Sequence, residues 1–145
     1  MGPMKRVWIV AAAASLAACA GPRGRVHDGR VESVIDQRPD RRAYFETIGI
    51  GASDPDLRSD TQRRSLARDA AIVKAQYELL SMVKGVTLDG GVTVERALET
   101  DSKLEARLRE SIRGAQVVKS EFTDDNGCVV TMRLTKSSLD AALRP

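Results

Sequence analysis

The chain has 145 residues, of which 42 % are hydrophobic and 30 % charged, and it carries a formal net charge of +3. Two of its basic groups, Lys5 and Arg6, lie at the extreme N-terminus, so the remainder is nearly neutral and offers no electrostatic footprint for nucleic acid. A single histidine, His27, excludes a multi-histidine zinc site, and its place in a stretch expected to be a flexible tether argues against a histidine-based catalytic triad.

Lys5 and Arg6 are followed by the apolar run from Val7 to Leu16 and by the small residues Ala17 and Ala18 before Cys19. A basic start, a short apolar stretch and small residues at its end make a secretory signal. The run is too short for a hydrocarbon core of about 30 Å, and Gly21, Pro22 and Arg23 follow it directly, which argues against a retained transmembrane helix. Leu16-Ala17-Ala18-Cys19 resembles the lipobox of bacterial lipoproteins. That resemblance implies diacylglycerol on the Cys19 sulfur, cleavage between Ala18 and Cys19, and an N-acyl chain on the new amine. Several acyl chains, at about 0.8 kcal/mol per buried methylene, make such an anchor effectively permanent. With Cys19 thioether-linked only Cys128 is left, so no disulfide forms within the chain. In Gram-negative lipoproteins Asp after the lipidated cysteine favours inner-membrane retention. Ala20 stands there, which implies an outer-membrane anchor with the domain in the periplasm.

Residues 19–43 read as the lipidated cysteine and a flexible tether. Gly21, Pro22, Gly24, Gly29 and Pro39 interrupt them, Arg outnumbers acidic residues, and aliphatics are scattered, so little apolar surface is available to offset ordering entropy. The domain is expected over 44–145. Tyr44 to Gly51 is rich in strand formers, and Gly51 to Asp56 reads as a loop. Ser59 with Gln62 forms a capping-box pattern, and Leu66, Ala70, Val73, Tyr77 and Leu80 recur at steps of three and four. They predict the inward stripe of a long helix, widened by Ile72, Leu79 and Val83 and stopped at Gly85.

Val86 to Val94 reads either as a small hairpin or as one kinked strand. A second helix follows with Leu98, Leu104, Leu108 and Ile112 inward and Gly114 as its stop; Ser102 with Glu105 places its start, or a break, near 102. Two alternating runs, Ala115 to Thr123 and Cys128 to Thr135, flank Asp124-Asp125-Asn126-Gly127, a strong hairpin signal. Ser137 is placed to cap a short last helix. The order predicts a single α+β domain, an antiparallel sheet packed by one long and one shorter helix.

Few residues promise chemistry. His27 falls in the expected tether, and the strand pattern turns Cys128 inward as a structural thiol. Gly49-Ile50-Gly51 lacks the third glycine of a dinucleotide fingerprint, since position 54 is Asp. Asp54, Asp56 and Asp60, like Asp124 and Asp125, lack the spacing of a calcium loop. Glu99, Asp101, Glu105 and Glu110 alternate with Arg107, Arg109 and Arg113 as a solvated, salt-bridged helix face. Arg63, Arg64 and Arg68 oppose the dipole at the long helix's start, a local conflict that marks them as a candidate partner-contact surface. No metal, catalytic residue or cofactor beyond the acyl chains on Cys19 is expected.

Ile48-Gly49-Ile50-Gly51-Ala52, Ala67-Arg68-Asp69-Ala70-Ala71, Ala75-Gln76-Tyr77-Glu78-Leu79-Leu80 and Val83-Lys84-Gly85-Val86 follow the lipobox in order. Ser111 to Val118 and Asp125 to Val130 continue the series. Together they resemble the LPP-twenty family of bacterial lipoproteins over roughly residues 45 to 135. The resemblance implies an SHS2-like or dodecin-like domain without catalytic residues. Flagellar members of that family are thought to assemble into rings or discs near the outer membrane. The expected function is thus a non-enzymatic, outer-membrane-anchored structural role, by homo-oligomer assembly with flagellar or other envelope proteins as partners. The alternative is a periplasmic ligand-binding module.

Overall fold

The computed structural model describes residues 22–33 and 40–144; the expected signal segment, Ala18 and Cys19 lie outside the described residues. In chain order the elements are β1 (Val26–His27), β2 (Arg30–Val31), β3 (Tyr44–Gly51), α1 (Asp60–Lys84), α2 (Val94–Leu98), α3 (Ser102–Arg113), β4 (Gln116–Phe122), β5 (Cys128–Thr135) and α4 (Lys136–Leu143). The result is a small α+β domain with antiparallel sheets and four helices, as the order of patterns predicts.

The main sheet has the order β3-β5-β4. Central β5 pairs along its whole length with β3, from Tyr44↔Thr135 to Gly51↔Cys128, and on its other side with β4, where the register slips between Val117 and Lys119. Alternation puts Phe45, Thr47, Gly49 and Gly51 on one face beside Leu134, Met132, Val130 and Cys128. Against that face lies α1, 25 residues long.

The approach of α1 to β3 is unusually close. A Cβ on Gly49 would stand 1.9 Å from the Ala71 carbonyl oxygen and 2.6 Å from the Ala75 nitrogen. One on Gly51 would stand 1.9 Å from the Ala67 carbonyl oxygen. Next on the same face of β3, the Thr47 hydroxyl donates to the Ala75 carbonyl at 3.1 Å. Helix backbone therefore rests on strand backbone, and only Ala fits the helix face there.

This corrects the expected stripe. The residues of α1 that are buried are Ala67, Ala71, Ala75, Leu79 and Val83, whereas Leu66, Val73 and Tyr77 are 51 %, 65 % and 64 % exposed. Hydrophobicity and spacing favour the larger side chains, but the glycine contact admits only the small ones. Further along, where β3 presents Phe45 rather than glycine, α1 widens the gap with Leu79 and Val83, and the core continues through Leu108, Ile112, Met132, Leu134 and Leu139. Full burial of a side chain such as Leu79 or Leu108 contributes about 1.5–3 kcal/mol.

Several boundaries stand where the sequence puts them while the capping atoms differ. Ser59 precedes α1, but its hydroxyl makes no cap bond. The stretch 86–94 is a tight reversal, with a single Thr87↔Thr93 bridge and Gly90 and Gly91 at positive φ. The second helical region is broken into α2 and α3. Asp101, rather than Ser102, caps α3 by accepting from the Lys103 and Leu104 amides at 2.9 and 3.0 Å. Thr135, rather than Ser137, caps α4. Gly85 and Gly114 do end their helices.

Residues 22–33 are not a free tether. β1 and β2 form a hairpin whose turn residues Asp28 and Gly29 both have positive φ, as a two-residue hairpin turn requires. Its apolar content is low, and long-range polar contacts hold it instead. The Glu121 carboxylate accepts from the amides of Arg25 and Val26 at 2.8 and 3.3 Å, and the Asp124 amide donates to the Gly29 carbonyl at 2.9 Å.

Gly49→Ala is expected to destabilise the fold by about 3 kcal/mol, because the new methyl would run into the backbone of α1 at Ala71 and Ala75. Gly85→Ala is the control. Its nearest atom would be 3.5 Å away and its φ is −75°, so a gain of about 0.5 kcal/mol is expected in denaturant titrations of the two variants.

Candidate functional site

The arginines singled out at the start of α1 divide into separate tasks. The Arg63 guanidinium donates to the carbonyls of Leu57 and Pro55 at 2.6 and 3.1 Å, closing the loop that leads into the helix. It also lies 3.7 Å from Asp60. Arg64 reaches the β4–β5 turn, where its Nε donates to the Asn126 side-chain oxygen at 2.8 Å and its guanidinium sits 5.4 Å from the centre of the Phe122 ring. Arg68 is partly buried near Cys128. Hydrogen bonds of Arg63 and Arg64 within the molecule thus offset the dipole conflict at this helix start, while Arg64 stays exposed.

Asn126 is the centre of this arrangement. It has φ +64°, is nearly buried, and its amide nitrogen donates to Asp60 at 3.0 Å. A single turn residue thereby ties the hairpin to both Asp60 and Arg64. Nothing in the local pattern around Asn126-Gly127 reports this beyond the turn itself.

Beside it, Asp125 accepts from the Thr123 hydroxyl and from the Gly127 amide, the latter at 3.4 Å. These bonds, led by that from Thr123, hold its carboxyl below the usual 3.8. Cys128 follows directly and is 1 % exposed. Burial raises its thiol above the usual 9.0, and the Arg68 charge offsets this only in part. A shielded, protonated thiol is a packing group rather than a nucleophile.

On the N-terminal hairpin, Glu32 gathers Arg23, Arg25 and His27, with His27 Nε2 at 3.1 Å. Burial tends to raise the Glu32 carboxyl, but Arg23, His27 and Arg25 together bring it below the usual 4.5. His27 is therefore held in an ordered ion-pair group, contrary to the expectation that it hangs in a tether.

Other carboxylates are explained locally. Asp54 accepts from the Asp56 amide at 2.9 Å in a turn, and Glu105 pairs with Arg109 at 2.7 Å along α3. Among the described residues no group of three or more His, Cys, Asp or Glu side chains is placed to hold a metal ion, and no helix is long and apolar enough to cross a membrane. A cleft of about 520 Å³ opens between the hairpin and the end of the sheet, bordered by Gly29, Val31, Gly51, Thr123, Asp124 and Cys128.

What the sequence reading missed is the role of Glu121 and Asn126, and the outward aspect of Leu66, Val73 and Tyr77. A usable signal exists only for the last. Two glycines alternating in a strand, followed by Ala67, Ala71 and Ala75 four apart, together specify a close strand–helix contact. Comparison of the chain with protein-family models, with curated proteins and with solved structures gives no match.

Asn126→Ala removes both side-chain ties and keeps the strained φ, so a loss of about 2 kcal/mol is expected in chemical denaturation. The lowered Asp125 carboxyl contributes stability above the unfolded value of 3.8 that is lost as pH falls through the lower folded value. Between neutral pH and 5 the melting temperature difference between Asp125→Asn and wild type is therefore expected to be constant, and to shrink as the pH falls below 3.8.

Proposed function

We propose that this chain is an envelope lipoprotein of the LPP-twenty kind, anchored in the outer membrane through acyl chains on Cys19 and acting by position and assembly rather than by catalysis. The observation that carries the reading is Leu16-Ala17-Ala18-Cys19 at the end of a basic-then-apolar start. An order of Gly-Ile-Gly strand, alanine-rich helix and closing hairpin supports the family reading, and the SHS2-like or dodecin-like domain is part of it. Supporting the assembly role, the domain offers an outward apolar helix face, and its one buried thiol is spent on packing. The role proposed is that of a homo-oligomer in an envelope structure, of which a flagellum-associated ring is one form. Confinement to a surface raises effective concentration, so weak contacts between copies suffice.

Expressed with residues 1–145 intact in a Gram-negative host, the wild-type chain is expected to incorporate labelled palmitate, to fractionate with the outer membrane, and to accumulate as an uncleaved precursor when the lipoprotein signal peptidase is inhibited. Cys19→Ala is expected to lose the label entirely. Label retained by Cys19→Ala, or a wild-type chain released as a soluble periplasmic protein, overturns the anchor.

A second reading, a periplasmic ligand-binding module, is favoured by the cleft beside the N-terminal hairpin, whose volume falls among those of small-molecule sites. Native mass spectrometry of the chain extracted from cells distinguishes it by a retained small molecule.

A further inference from the structure

The outer face of α1 carries a second apolar stripe, diametrically opposite the buried one. Leu66, Ala70, Val73, Tyr77 and Leu80 are separated by four, three, four and three residues, the alternation of a coiled-coil seam rather than of a helix merely lying on a sheet. Leu66, Val73 and Tyr77 are each more than half exposed, Ala70 is exposed, and Leu80, which closes the row, is partly buried against the domain's own core. Large apolar side chains in one continuous row on solvent-facing helix are a marked departure from scattered surface residues.

Charge on the flanks of this row selects its occupant. With Ala70 and Tyr77 at one set of core positions and Leu66, Val73 and Leu80 at the other, Asp69 lies on one flank and Lys74 on the opposite flank, five residues later. In a parallel pair of such helices, residues in those two positions meet across the interface. Asp69 of each copy then faces Lys74 of the other, twice by symmetry, and Gln76 faces Ser81 in the next repeat. In an antiparallel pair each flank meets its own kind, which brings the two Lys74 side chains together. Lys74 is meanwhile within its own helix 2.9 Å from Glu78 and 5.3 Å from the centre of the Tyr77 ring, so it is already held beside the seam. The groove between α1 and α3, about 410 Å³ and bordered by Tyr77, Leu80 and Ile112, continues the apolar surface at the seam's C-terminal end.

We propose that this face binds a second copy of the same chain as a parallel, in-register two-helix seam, with Leu66, Ala70, Val73, Tyr77 and Leu80 as core layers and reciprocal Asp69–Lys74 pairs fixing the direction. This deepens the assembly reading above and rests on it. Two heptads expose a few hundred Å² of apolar surface, below the ~800 Å² per partner of a standard stable interface. The contact is accordingly weak between free molecules and is populated when copies are held on one surface.

The test uses the full chain isolated from membranes and returned to vesicles of phosphatidylethanolamine and phosphatidylglycerol. Val73 lies across the two-fold from its own copy, so Val73→Cys is expected to form a homotypic cross-link with a short bismaleimide. Ser65→Cys, exposed but about a quarter turn round the helix, is the control and should not; Cys128, 1 % exposed, stays silent. In the Val73→Cys background, Asp69→Lys is expected to lower cross-linking about three- to fivefold, and Asp69→Lys with Lys74→Asp to restore it. Both positions are exposed, so folding is not at stake. Cross-linking no greater at 73 than at 65, or a double variant no better than the single, overturns the seam. So does quenching of a fluorophore at Val73→Cys by brominated lipid, which would give the face to the membrane instead. Amine-reactive cross-linking of the same samples separates the two levels: oligomers that persist without the 73 link leave assembly standing and the seam overturned, whereas monomers throughout overturn both.

Discussion

Backbone-to-backbone contact between β3 and α1 sets the geometry on which the rest of this domain depends. Gly49 and Gly51 leave no room for a Cβ under Ala67, Ala71 and Ala75, and that closeness decides the rotation of a 25-residue helix about its axis. Once the rotation is set, everything on the helix has an assigned direction. Thr47 meets a helix carbonyl, Leu79 and Val83 enter the core, Arg64 points to the β4–β5 turn, and Leu66, Val73 and Tyr77 face away. A small-residue contact is thus traded for a larger apolar face left outside, which is a costly arrangement for a monomer unless another surface covers it.

The two ends of α1 are fixed by different physics. At its C-terminal end apolar packing dominates, through Leu108, Met132, Leu134 and Leu139. At its N-terminal end polar side chains dominate, through Arg63 on the preceding loop and Arg64, Asp60 and Asn126 between helix and turn. The three arginines that look out of place against the helix dipole are tolerated because two of them leave the axis and satisfy carbonyl and amide oxygens. The N-terminal hairpin follows the same polar logic, with Glu121 and Glu32 taking the place of a hydrophobic contact.

Much of the architecture is legible along the sequence because its signals are local. Strand alternation in Cys128 to Thr135, the turn residues Asp124 to Gly127, and the stops at Gly85 and Gly114 each reflect a few neighbouring residues, and each element stands where those residues put it. Cap atoms were less legible. Asp101 and Ser102, or Thr135 and Ser137, are neighbours of similar capping chemistry, and one residue of difference in chain path decides which oxygen meets the amides. Polar sites were the least legible, since Glu121 and Asn126 gain their roles from residues some 60 to 96 positions away.

By itself the sequence determined the order and kind of the main elements from β3 onward and the inward place of Cys128, because each is written in residues close together in the chain. Tertiary structure alone decided which of two apolar stripes on α1 is the inner one. Both have helical periodicity, and the outer one carries the bulkier side chains. The choice lies with two glycines on another element, whose missing side chains let a helix of alanines come nearer than any row of larger residues could.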